Sequence, residues 1–81
     1  MELKYVVTEN NDFAIFSKAT NHSDIARVLH GAPVGAGFCT IRQKADSMDV
    51  DAHCYGNSVS LLLHSRPKVD EDIINTALNS Y

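Results

Sequence analysis

The sequence predicts an α+β domain: an antiparallel sheet of about five strands, in the order β-β-α-β-β-β-α, with two helices packed on one face. Three observations carry this expectation. Residues 49–64 alternate apolar and polar around Gly56-Asn57, a pair that tolerates the positive φ of a two-residue hairpin turn. Leu3 to Thr8 and Phe13 to Ser17 are short β-prone runs flanking Glu9-Asn10-Asn11-Asp12, whose asparagines suit a tight turn. Val69, Ile73, Ile74, Ala77, Leu78 and Tyr81 recur at the 3.6-residue helical period.

With Asn10-Asn11 as a two-residue turn, the first hairpin carries Tyr5, Val7, Ala14 and Phe16 on one face and Val6, Phe13 and Ile15 on the other. Both faces are apolar, whereas a sheet with one solvated face alternates, so this hairpin is expected to be covered on both sides. Ser23 then reads as an N-cap, with Asp24 in the first turn, Ile25, Val28 and Leu29 on one side and Gly31 at the end. That gives a helix of about two turns, stable only when packed on a sheet. His22 and His30 flank it, His30 as a favourable charge at the C-terminal end. Gly31, Gly35 and Gly37 have the spacing of a loose phosphate loop, but such a loop follows a strand and opens a helix, and this segment does the reverse. It leads instead into a third strand, Gly37 to Arg42, and a polar loop from Gln43 to Ser47.

The Gly56-Asn57 register places Tyr55 opposite Ser58. It pairs Cys54/Val59, Ala52/Leu61 and Val50/Leu63 on an apolar face, and His53/Ser60, Asp51/Leu62 and Asp49/His64 on a largely polar one. Ser65-Arg66-Pro67-Lys68 ends the fifth strand. Asp70 follows as N-cap of the closing helix, with Val69 and Ile74 as a hydrophobic staple and Glu71 and Asp72 favoured by the macrodipole. The expected core is Val50, Ala52, Cys54, Val59, Leu61 and Leu63 beneath Ile25, Val28, Leu29, Ile73, Ile74, Ala77 and Leu78.

At 81 residues the chain is expected to be a single domain, 1–81, with a modest core that buries about 60% of the unfolded surface. A net charge of −3, from seven Lys and Arg against ten Asp and Glu, with no basic stripe, argues against nucleic-acid binding. No apolar run approaches the roughly 20 residues of a membrane helix. The opening has no charged-then-apolar leader, and Cys39 and Cys54 form no CxxC pair, so a cytoplasmic protein with reduced thiols is expected.

Asp49, Asp51 and His53 alternate along one strand about 6.8 Å apart, with His64 across from Asp49. Carboxylate oxygens and imidazole nitrogens in that arrangement are candidate ligand or metal contacts, or a solvated face of cross-strand pairs joined by Arg42. Cys39 and Cys54 are expected on one face of adjacent strands, packed and reduced. His53, next to Cys54 in sequence, is sent by the pleat to the opposite face, so no nucleophile and base converge.

Val6, Phe13, Ile15, Phe38 and Leu62 are read as one apolar patch, the candidate interface of a two-fold homodimer. The leading functional expectation is therefore a small interaction or accessory protein, without cofactor, that self-associates or binds a protein partner. A ligand- or metal-binding domain built on Asp49, Asp51, His53 and His64 is the alternative. An acidic inhibitor acting on a partner protein is a third. Enzymatic activity is the least supported, and no motif names a family.

Overall fold

The computed structural model describes residues 2–80, whose backbone forms β1 (Glu2–Thr8), β2 (Phe13–Phe16), α1 (His22–Ala26), β3 (Pro33–Gln43), β4 (Val50–Tyr55), β5 (Asn57–Ser58), β6 (Leu63–His64) and α2 (Pro67–Leu78). The class is α+β, as the sequence predicts. The sheet differs: β2-β1-β3-β4 form a four-stranded antiparallel sheet, and β5-β6 form a separate two-stranded one. The expectation for Tyr81 lies outside the described residues.

The first hairpin is out of register by one residue from the expected pairing. Val7 pairs with Phe13 and Tyr5 with Ile15, which leaves a three-residue loop closed by the Thr8 amide donating to the Asp12 carbonyl at 2.8 Å. Asn11 at φ 61 absorbs the extra residue, the usual role of a left-handed residue in such loops. Because side chains alternate, the slip exchanges the second strand's faces. Phe13 and Ile15 join Tyr5 and Val7 above a core of Cys39, Ala52, Cys54 and Ile74, while Ala14 and Phe16 share the opposite face with Val6.

Each face has its own helix, which corrects the expectation of two helices on one side. Ile74 of α2 packs on Tyr5, Val7, Cys39, Ala52 and Cys54. On the other face His22 of α1 meets Phe16 and Phe38 edge-on, with ring centroids 5.6 and 6.1 Å apart. The doubly apolar first hairpin is thus covered within the chain, and Val6 is fully buried. The first helix is shorter than predicted, starting at His22 and ending at Ala26 with Arg27 as C-cap. Ser23 is therefore helical and not the N-cap. His30 lies in the following loop, where its amide donates to Asp12 Oδ2 at 2.9 Å and its carbonyl accepts from Thr8 Oγ1 at 2.6 Å. Val28, expected in the core, is 76% exposed.

The largest departure is the second hairpin. β4 pairs only with β3, placing Cys39 opposite Cys54 and Arg42 opposite Asp51. Gly56, at φ 81, ends β4 instead of folding it back, and its missing side chain leaves room for the Phe38 ring. The chain then forms the β5-β6 hairpin, pairing Ser58 with Leu63 and Asn57 with His64, which lies against β3. Val59, expected opposite Cys54, is 80% exposed.

What takes the place of the expected fifth strand along β4 is the side of α2. The amides of Val50, Ala52 and Cys54 donate to Asn79 Oδ1, Asn75 Oδ1 and Glu71 Oε2 at 2.8, 2.7 and 2.8 Å. Four residues of helix advance about 6 Å. Two residues of strand advance about 6.8 Å, so positions 71, 75 and 79 keep step with 54, 52 and 50. Three backbone donors of an otherwise open edge are thereby satisfied by side chains.

The helix begins at Pro67, three residues ahead of the expected N-cap. Asp70 instead points inward, fully buried, and accepts from Tyr5 Oη (2.5 Å), the Arg66 amide (2.9 Å) and Arg66 Nε and Nη2 (3.0 and 2.7 Å). Val69, expected to staple the helix start, is half exposed.

Candidate functional site

A cleft of about 370 Å³ opens on the face carrying α1. Lys4 of β1 and Phe38 of β3 stand opposite one another in the sheet and form its floor, with Asn21 and His22 at the start of α1 on one side. Asn57, Val59 and Ser60 of the short hairpin form the other wall. The fold builds this cleft by two breaks of sheet regularity: α1 crosses one end of the face, and Gly56 swings the chain off β4 onto a separate hairpin.

Lys4 is half buried, and its ammonium donates to the Thr20 carbonyl at 2.9 Å. Among the described residues no carboxylate pairs with it. Glu2, two residues away on the same face, is engaged by Lys18 at 2.9 Å and by the Tyr55 hydroxyl. Those hydrogen bonds, Tyr55 first, hold the Glu2 carboxyl below its ordinary value and push the Tyr55 hydroxyl up to about 12. The side-chain amides of Asn21 and Asn57 make no hydrogen bond among the described residues. Phe38 is stacked on Tyr55, whose ring also approaches His53.

His22 is nearly fully buried. Its Nε2 faces the Gly37 carbonyl at 2.8 Å and so carries the proton, which leaves Nδ1 as the acceptor of a neutral ring. Burial, opposed by that hydrogen bond and assisted by the Lys4 charge, holds its pKa below the ordinary 6.5. The unfolded chain therefore binds a proton that the folded chain resists. The resulting stability is complete above about pH 6.5 and is lost as pH falls through the folded-state pKa. Glu2 acts only below its ordinary 4.5, outside the interval from about pH 7 to 5. The melting temperature should fall over that interval, and His22→Phe, which keeps an aromatic ring between Phe16 and Phe38, should remove the dependence. An unchanged slope in that variant would assign it to another group.

The residues singled out from sequence are distributed differently. Asp51 and His53 share the outer end of the same sheet face, where they border a recess with Thr40 and Arg42. His53 Nδ1 lies 3.4 Å from Glu71 Oε2 of α2, and Asp51 accepts weakly from Asn75. Asp49 precedes β4, and His64 belongs to the other sheet. Among the described residues no group of three or more His, Cys, Asp or Glu side chains is gathered as a metal site would require. Of the five interface candidates, Val6 is buried, Phe13 and Ile15 pack on the α2 side, Phe38 floors the cleft and Leu62 is 87% exposed at the hairpin tip. They do not form one patch.

Cys39 and Cys54 face each other across β3 and β4 as free thiols, which burial pushes up to about 11 and 12. They are packing residues. Lys4 and His22, missed as site residues, carry one sequence signal each: a lysine inside an apolar strand, and a histidine at the start of a weak helix.

No family model matches the chain, and comparison with curated proteins and with solved structures finds no match. Among the described residues no helix is long and apolar enough to cross a membrane.

Proposed function

We propose that this domain is a small interaction module that pairs with a second copy of itself through the tip of the β5-β6 hairpin. The observation that carries the reading is Leu62, which adopts φ 56 and is 87% exposed. A leucine in the left-handed region costs about 1–2 kcal/mol. The comparable position of the first hairpin is held by Asn11, at φ 61. So exposed a side chain recovers little of that cost inside the protomer, so a contact outside it accounts for a leucine here.

Val59 is exposed beside Leu62, and a recess of about 240 Å³ lies between them, Leu63, Ser58, Asn57 and His64. A projecting apolar side chain next to an apolar recess on one hairpin meets the requirement of a two-fold interface, in which the same surface serves both partners. A hairpin tip is smaller than the roughly 800 Å² per partner of a standard interface, so the pairing is of the weak class.

Sedimentation from about 10 to 500 µM, a range spanning weak pairing, tests this. The wild-type mass should rise toward a dimer, and Leu62→Asn should remain a monomer. Asparagine suits the left-handed conformation, so at low concentration the variant should also gain about 1 kcal/mol. That corresponds to a melting temperature higher by about 4–8 °C. A wild-type monomer throughout, or a Leu62→Asn chain that still associates, rejects the reading.

A further inference from the structure

We propose that the cleft between α1 and the β5-β6 hairpin binds a small organic monoanion, an aromatic carboxylate, with its charge at Lys4 and its ring against Phe38 and Val59. This goes beyond self-pairing, although Asn57 and Val59 of the hairpin border both surfaces. The chain is net acidic, yet within this cleft the half-buried ammonium of Lys4 has no carboxylate partner among the described residues. Glu2, the nearest acidic residue along the strand, is already held by Lys18 and Tyr55.

The Lys4 ammonium spends one donor on the Thr20 carbonyl, leaving two for a ligand oxygen. Asn21 and Asn57, with uncommitted amides, line the same cleft and supply further donors. The charge count selects the class. His22 is neutral, its one ring proton spent on the Gly37 carbonyl, so Lys4 is the single positive charge in the cleft. A monoanion is balanced by it, whereas a phosphate dianion would be left half compensated. Phe38 and Val59 supply apolar walls, and the volume of about 370 Å³ admits a substituted benzene ring but not a large cofactor.

Titration of the isotope-labelled wild-type chain with phenylacetate, followed by backbone amide and histidine ring shifts, tests the site. Saturable shifts are expected at Lys4, His22, Phe38 and residues 57–60, with Kd below about 1 mM. Phenylacetamide, neutral and of the same shape, should bind at least about tenfold more weakly, as should inorganic phosphate, which lacks the ring. Lys4→Gln should weaken phenylacetate by a similar factor. No saturable shift up to about 10 mM overturns the proposal. Equal binding of phenylacetamide overturns the role of charge, and equal binding of phosphate overturns the role of the ring. Both comparisons use the wild-type chain, so they hold even if the Lys4 variant fails to fold.

Discussion

Gly35→Ala is expected to destabilise the domain by about 2–4 kcal/mol, although it adds a single methyl group. Gly35 is buried in β3 directly beneath the Asp70 carboxylate. A Cβ there would lie 2.7 Å from Asp70 Oδ1, 2.9 Å from Arg66 Nε and closer still to Asp70 Oδ2. Asp70 has no room to yield, because its four donors from Tyr5 and Arg66 fix both oxygens. Displacing it would leave a buried charge short of partners and the Tyr5 hydroxyl with Ser65 alone. The double-mutant cycle separates this from a general intolerance of β3 to alanine. In an Asp70→Ala background the same glycine substitution should cost under about 1 kcal/mol, a coupling of at least 1 kcal/mol. Additive effects in denaturant melts would show that the carboxylate is not what Gly35 accommodates.

Ile74→Ala should cost about 3–4 kcal/mol, while Leu61→Ala should cost about 1 kcal/mol. Ile74 is fully buried in the core cluster with Tyr5, Cys39 and Cys54, and truncation leaves a cavity that cannot close without moving α2 off the edge of β4. Leu61 sits half buried in the turn between β5 and β6 and is not part of the main cluster. The hairpin register read from sequence requires the opposite, with Leu61 paired to Ala52 in the core. Equilibrium unfolding of the two variants therefore distinguishes the two arrangements. A Leu61→Ala loss of 2 kcal/mol or more would favour the long hairpin.

Much of the local structure is legible in the sequence. The β-prone runs at residues 3–8 and 13–16, the passage from a helix into a strand through the glycine-rich segment and the period of residues 69–78 each depend on near neighbours, and each element forms. Gly56 has the positive φ that the sequence predicts. Its consequence was not legible, since a glycine that folds a strand back and one that releases it from a sheet have the same sequence signature. The choice is tertiary: β4 has its edge donors satisfied by Glu71, Asn75 and Asn79, so it needs no second partner strand. The same polar residues look from sequence like the solvated stripe of an amphipathic helix. The first hairpin's one-residue slip has a similar origin, because two adjacent asparagines allow either loop length, and burial of Phe13 and Ile15 with Tyr5 favours the longer one. Of the candidate site, the sequence alone placed Phe38 on the sheet face of Val6, but grouped with it Phe13 and Ile15, which lie on the opposite face, and Leu62, which lies on the separate hairpin. The pairing of Lys4, His22 and Phe38 around one cleft was decided only when α1 docked on the face opposite α2, because contact between residues so far apart in the chain is set by packing and not by local propensity.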